Sequence, residues 1–317
     1  MIPAYNGANY LAKAIQSVLV QDPGPEVMQI EVVDDHSLKE DLRAVAERAG
    51  CGRVAYFRQP QNVGLVRNFN TCVRRSMGLW VHILHSDDMV VPGFYKKLQQ
   101  ATTEVGVGAA FCRFYWMNED DQWLGISDLE APSEGVLLGW PEKLAVKNRI
   151  MAPSIVVARH VYENLGGYDA RLSHSADWDM WKRIAVNYPV WHEPTVLACY
   201  RSHSSSDTSR LMRTGANIED ARRSIALASG YLPKAVSRRL TQQAYRAHAE
   251  YALDLAQGML YRHDFSGAWA QTRQAVKTAV CARVLVRLVR LFGRFIIVVL
   301  RLPIGRLVRV GGSWGDR

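Results

Sequence analysis

The chain has 317 residues, 48% hydrophobic and 22% charged, enough apolar material for a sizeable core and too ordered a composition for a disordered polymer. The net charge is +9, but residues 281–317 hold eight Arg and one Asp, a net of +7, which leaves +2 for the other 280 residues. The basic character therefore belongs to a tail, and the body is excluded as a basic nucleic-acid-binding surface.

Five cysteines, an odd number with no CxxC pair, argue against a disulfide framework or a zinc site and fit a reducing cytoplasm. The start of the chain lacks the basic stretch and apolar run of a secretory signal.

In chain order, Leu11, Ile15, Val18 and Leu19 recur at helical spacing, and Ile30–Val33 is a short strand ending at Asp34-Asp35. Leu42, Val45 and Ala46 mark a second helix, Val54–Phe57 a strand, Asn68 to about Met77 a third helix, and Trp80–Leu84 a further strand. Strands alternating with helices predict a mostly parallel sheet. Ligands of such sheets bind at the carboxyl ends of strands, where both Asp34-Asp35 and Asp87-Asp88 fall. Residues 100–215 are mixed. From 216 to 280 the pattern is of antiparallel helices, with a stripe of Ala244, Ala247, Ala249, Ala252, Leu253, Ala256 and Leu260, a turn at 263–267, and a helix through Ala268, Thr272 and Ala275.

Five segments follow one another at ordinary spacing: Ile2-Pro3-Ala4-Tyr5-Asn6-Gly7, Val32-Val33-Asp34-Asp35-His36-Ser37, Asn62-Val63-Gly64-Leu65 with Asn68, His85-Ser86-Asp87-Asp88, and Ala176-Asp177-Trp178-Asp179-Met180-Trp181. Together, over roughly residues 1–210, they resemble the family 2 glycosyltransferases. The resemblance implies an α/β fold of the GT-A type, a Rossmann-like mixed sheet, and transfer of a sugar from a nucleoside diphosphate with inversion.

It also implies roles. Pro3, Ala4 and Tyr5 would set backbone and a ring against the base of the nucleotide, and Asp35 would meet the base edge; the plain alternative is that Asp34-Asp35 caps the following turn. Asp88 would bind a divalent cation, Mn²⁺ or Mg²⁺, and Asp87 the ribose or the metal, since hard oxygen ligands suit such ions. His85 stands where the family often has another Asp, so it either touches the nucleotide or packs. Arg67 would approach the donor. Asp177 matches the family's general base; Ala176 replaces the usual Glu, and the helix N-terminus together with that loss of a like charge should favour the ionised form. Asp179, two residues on, faces elsewhere on a helix. Tyr200-Arg201-Ser202-His203 resembles the segment that closes over the diphosphate, with Arg201 on phosphate oxygens and His203 on metal or phosphate. Ahead of Pro3 only Met1 and Ile2 remain of a strand that is longer in the family.

Residues 283–302 alternate Arg with apolar residues. At about 100° per residue, Arg283, Arg287, Arg290, Arg294 and Arg301 share one narrow face. The longest charge-free stretch, Phe295–Leu300, is far short of the ~20 residues of a membrane span, and an in-plane amphipathic helix on an anionic membrane fits the pattern; the alternative is a helix packed on the body with its Arg stripe in solvent.

The expected organisation is a GT-A domain over 1–212 with a shortened first strand, a helical extension over 213–280 and a membrane-seeking tail over 281–317. The expected activity is metal-dependent transfer to an acceptor hydroxyl on a glycan or lipid-linked acceptor, in envelope polysaccharide or lipopolysaccharide synthesis at the cytoplasmic face of the membrane, with no nucleic-acid partner. Transfer to a polyprenyl phosphate, and a non-catalytic scaffold keeping a degenerate GT-A fold, are the alternatives.

Overall fold

The computed structural model describes residues 1–300. Its first part runs β1 (Ile2–Ala4), α1 (Ala8–Leu19), β2 (Glu31–Asp34), α2 (Leu42–Gly50), β3 (Ala55–Arg58), α3 (Leu65–Arg75) and β4 (Trp80–His82). β1, β2 and β3 are parallel neighbours. On its other side the β1 end meets β4: the Met1 amine donates to the His82 carbonyl at 2.9 Å and the Leu84 amide donates to the Met1 carbonyl at 3.0 Å. Short as it is, β1 lies between two neighbours. Val32 faces the core layer under α1 while Val33 faces the layer under α3, as strand alternation requires. In α1 the buried side chains are Leu11, Ala14, Ile15 and Val18, one stripe at i, i+3, i+4 and i+7.

Beyond β4 the elements are β5 (Met89–Val90), α4 (Phe94–Leu98), β6 (Ala109–Met117), β7 (Trp123–Ile126), β8 (Gly135–Val136), α5 (Trp140–Val146), β9 (Ile155–Ala158), α6 (Arg159–Leu165), α7 (Ala176–Asn187) and β10 (Val190–Arg201). Here the sheet is not mostly parallel: its order is β4-β9-β6-β10-β5, and only β6 and β10 run parallel. Off this path, β6 and β7 form a hairpin closed by the Asn118 amide on the Gln122 carbonyl at 3.0 Å; antiparallel strands need no crossover helix.

The rest is helical: α8 (Asp207–Thr214), α9 (Ala216–Ala228), α10 (Lys234–Tyr261), α11 (Phe265–Thr278) and α12 (Ala282–Leu300). The expected alanine-rich stripe of α10 is buried from Leu240 to Leu260, and Ala268 and Ala275 of α11 pack against it; Ala247 is half-buried. This bundle is pressed onto the sheet domain. Trp178 of α7 shares a cluster with Ala221 and Ile225 of α9 and Ala244 of α10, and Ala145 of α5 packs with Leu232 and Leu240. So α7 is covered on both sides, which is why eight of its twelve residues are buried, including polar Asp179 and Lys182.

The geometry of α12 departs from a single outward Arg stripe. Val284 and Leu291 are buried on the bundle, and Arg287 turns inward to Glu250 and Asp254 of α10. Leu285, Val286, Val289, Phe292 and Ile296 are left exposed instead. Arg301 and the remainder of the tail lie outside the described residues. No helix among the described residues is long and apolar enough to cross a membrane.

Candidate active site

The ends of β1 and β2 are fixed by short-range hydrogen bonds. Pro3 and Ala4 are buried and Tyr5 is exposed. Asp34 is consumed internally: Oδ1 accepts from the Ser37 amide and hydroxyl, and Oδ2 from the Tyr56 hydroxyl at 2.6 Å. Asp35 donates its own amide to Ala4 and accepts at its two oxygens from the amides of Val63 (2.8 Å) and Gly64 (2.9 Å). Gly64 has φ +85°, the left-handed region open to glycine, which lets successive amides turn onto one carboxylate. Burial raises the Asp35 carboxyl above its usual range against these two bonds. Asp35 thus ties the 62–64 loop to the mouth of β1. Arg67 is exposed on the first turn of α3, and its side chain makes no hydrogen bond or ion pair among the described residues.

The second carboxylate pair follows β4. Asp88 is 1% exposed. Its Oδ1 accepts the Arg201 backbone amide at 2.8 Å; its Oδ2 has no hydrogen-bond partner and lies 3.8 Å from His85 Nδ1. His85 is stacked on Phe69 and leaves a buried Nε2 unpartnered. Ligand atoms of His85, Asp87 and Asp88 all lie within 4.8 Å of one another. Burial, then the charge of Asp87, pushes Asp88 well up. Burial also opposes ionisation of Asp87, but the His203 hydrogen bond and the nearby imidazoles overcome it and hold that carboxyl below its ordinary value. Two close carboxylates that titrate apart, with an orphaned buried oxygen between them, suit a divalent cation.

β10 brings the closing segment beside this pair. His203 Nε2 is 3.0 Å from Asp87 Oδ2, so His203 reaches the cluster through Asp87. The Arg201 side chain is fully buried: Nε donates to the Asp87 carbonyl, Nη1 donates to the Asn118 carbonyl and forms an ion pair with Asp121 Oδ1 at 2.6 Å, and the guanidinium lies 4.4 Å from the Tyr10 ring centre. Only Nη2 lacks a protein partner.

Asp177 lies on the first turn of α7, and the N-cap is Ser175. Its Oδ1 accepts the Trp178 amide at 2.6 Å and its Oδ2 faces Asn148 Nδ2 at 3.5 Å. The expected preference for the ionised form is not what the structure gives: burial pushes Asp177 up to about 7, with the charge of Asp220 adding to it. A helix N-terminus supplies only about 0.3–1 kcal/mol, less than the 1.4 kcal/mol or so of a single pKa unit, so desolvation decides. The charges of Asp88, Asp87 and Asp177 all act on the half-buried Tyr200 hydroxyl, raising it further after burial. Asp179 is structural, paired with Arg183 at 2.8 Å and accepting from Tyr231.

Residues 1–149 match the family model for glycosyl transferase family 2. This part of the chain is a family 2 glycosyltransferase domain. An uncharacterized glycosyltransferase of Rickettsia typhi is 23% identical over 81% of this chain and 77% of its own length. The first 349 residues of S. aureus TarS, solved with UDP-GlcNAc, superpose with a TM-score of 0.66 at 14% identity, covering 94% of this chain and 80% of that one. The mannosyltransferase PcManGT of Pyrobaculum calidifontis, solved with GDP-Man and Mn²⁺, gives 0.59 at 16% identity over 93% and 79%. The glycosyltransferase fold thus extends well past the matched segment and is of the GT-A type; Asp177, Arg201 and His203 stand beyond residue 149.

Sequence reasoning left His85 open between contact and packing; its unpartnered Nε2 puts it in the cluster, and the signal was its place two residues ahead of Asp87. Asp121 and Asp220 had no signal, because each meets the site through contacts distant in sequence.

Proposed function

We propose that this glycosyltransferase moves a sugar from a nucleoside diphosphate to an acceptor hydroxyl with inversion, in a metal-dependent reaction with Asp177 as general base. The observation that carries the reading is the cluster of His85, Asp87 and Asp88, whose ligand atoms lie within 4.8 Å of one another with Asp88 Oδ2 left unpartnered; Asp177, which burial pushes up to about 7, supports the base role. A base works best with a pKa near the operating pH. Asp177 takes the acceptor hydroxyl proton as that oxygen attacks the anomeric carbon and the bond to the diphosphate breaks. A single base on one side and a single displacement give inversion. His85, Asp87 and Asp88 would hold a Mn²⁺ or Mg²⁺, which would neutralise the charge growing on the diphosphate. Pro3, Ala4, Tyr5 and Arg67 would receive the nucleotide. Asp35 would shape that wall by fixing the 62–64 loop, its oxygens already taken by amides, and Arg201 would brace Asp87 and Asp88 with Nη2 left toward phosphate. His203 would steady Asp87 from the closing segment.

The acceptor would be a glycan or lipid-linked, in envelope polysaccharide or lipopolysaccharide assembly, with the enzyme bound peripherally to the inner face of the membrane. Support for the membrane partner comes from α12: Leu285, Val289, Phe292 and Ile296 share one exposed arc, and Arg283, Arg290 and Arg294 form a separate row on the same helix. From Phe265 to Leu300 the sequence holds six basic residues and no acid. Apolar side chains and a basic row on one helix are what an anionic surface takes in plane.

The test is donor turnover with Mn²⁺ across UDP-, GDP- and dTDP-sugars. At least one donor is expected to be hydrolysed or transferred by the parent, and Asp88→Ala should lose both metal-dependent nucleotide binding and turnover. No turnover of any donor in the presence of acceptor lipid extracts would favour the degenerate scaffold.

A further inference from the structure

We infer that Asp220, on α9 in the helical extension, is a positioning residue for the Asp177 base; the inference rests on the reading of Asp177 given above. Asp220 is 3% exposed, and its Oδ2 accepts two backbone amides, Ser175 at 2.8 Å and Ser173 at 3.1 Å. These are the last links of the segment that enters α7, two and four residues ahead of Asp177. Ser175 is the N-cap, yet its side chain makes no cap hydrogen bond, so Asp220 supplies the side-chain acceptor at the helix entry. The orientation of the first turn, and of Asp177 on it, is therefore set from outside the catalytic domain's own strands.

α9 is anchored for that task. One turn beyond Asp220, the buried Lys182 ammonium of α7 donates to the Ser224 carbonyl and hydroxyl at 3.0 and 2.8 Å, and Ala221 and Ile225 pack on Trp178. α9 thus lies along α7 and grips it twice, once at the backbone entry and once at Lys182. A carboxylate accepting two amides is a strong, directional hold. Removing it leaves the buried Ser175 amide unpaired, at about 1–3 kcal/mol, releases the exposed Ser173 amide, and frees the segment that carries the base. Misplacement of a catalytic group by about 1 Å can cost 10²-fold.

The charge of Asp220 matters as well as its hydrogen bonds. The ionisable groups around Asp177 are Asp220 from α9, Lys182 on its own helix, Tyr168 from the preceding segment, and Tyr200 from β10; His174 faces Asp220, His248 of α10 stacks on Trp178, and Asn148 is a neutral donor. The charge of Asp220 raises the Asp177 carboxyl after burial, so it opposes ionisation of the base.

The experiment compares Asp220→Ala, Asp220→Asn and Asp177→Asn in the full chain, reading kcat, donor KM and the pH profile of transfer. Asp220→Ala is expected to lower kcat roughly 10–100-fold with donor KM unchanged. Asp220→Asn, which keeps an acceptor oxygen and drops the charge, should recover most of that loss while its acid limb moves to lower pH. A merely structural Asp220 would lower the unfolding midpoint in both variants and leave the profile of the folded enzyme where it was. Parental kcat and profile in Asp220→Ala, with Asp177→Asn inactive, would overturn the positioning role alone. Near-parental transfer by Asp177→Asn would overturn the base reading beneath it.

Discussion

Asp35 is held by amides 28 and 29 residues away in sequence, inside the stretch that matches the family model, whereas the entry to α7 is held by Asp220, 45 and 47 residues downstream of the amides it grips and outside that stretch. The donor side of the site is thus assembled from strand ends and the loops that follow them. The base side is assembled by pressing a helical bundle onto α7. The difference shows in the carboxylates. Asp34 and Asp35 are satisfied by nearby donors, while Asp177 owes its raised pKa to the bulk of protein packed around it. A site of this kind can keep its nucleotide wall while its base is tuned by a separate set of contacts.

The sharpest way to break this comparison is to loosen the bundle. Trp178 joins the two regions, donating its indole N–H to the Leu144 carbonyl at 2.6 Å, stacking on His248 and packing on Ala221, Ile225 and Ala244. Trp178→Ala is expected to cost about 3–5 kcal/mol of stability, read by denaturant unfolding. The parent should unfold in one transition at the two regions, since they share that core; a bundle that melts first and leaves nucleotide binding intact would show that α7 does not need it.

A smaller effect is expected at the outer face of α12. Arg290→Ala and Arg294→Ala should each weaken co-sedimentation with anionic vesicles by about 1 kcal/mol, roughly fivefold, whereas Arg287→Ala should matter less because that side chain is paired with Glu250 and Asp254. Equal effects at the three positions would return the Arg row to a single outward stripe and remove the apolar arc from the account.

The same contrast explains what could be read in advance. β1 to β4 and the helices between them were legible because their signals are short, an apolar run or a helical period; Asp87-Asp88 and Asp177 were singled out by their resemblance to family motifs. The mixed order of the outer sheet was not legible, because β6 lies between β9 and β10, strands distant in sequence that only tertiary packing brings to it. Nor was the inward turn of Arg287, since a helical wheel shows which residues share a face and not which face meets α10. The buried state of Arg201 was equally hidden: its backbone partner Asp88 is 113 residues away, and its ion pair with Asp121 forms only once the β6–β7 hairpin has closed. The helix dipole and the missing Glu at Ala176 pointed toward an ionised Asp177; the tertiary burial that overrides both is absent from any local reading.

That reversal sets the most direct test of the account, the pH profile of sugar transfer by the parent and by Asp177→Asn. A base held up near 7 is protonated and idle at lower pH, so parental kcat should rise with pH through about 7. Asp177→Asn keeps the size and the contact with the Trp178 amide, so nucleotide binding should persist while transfer falls at least ~100-fold and the acid limb disappears. An acid limb near the ordinary carboxylate range, or near-parental transfer by Asp177→Asn, would contradict the account.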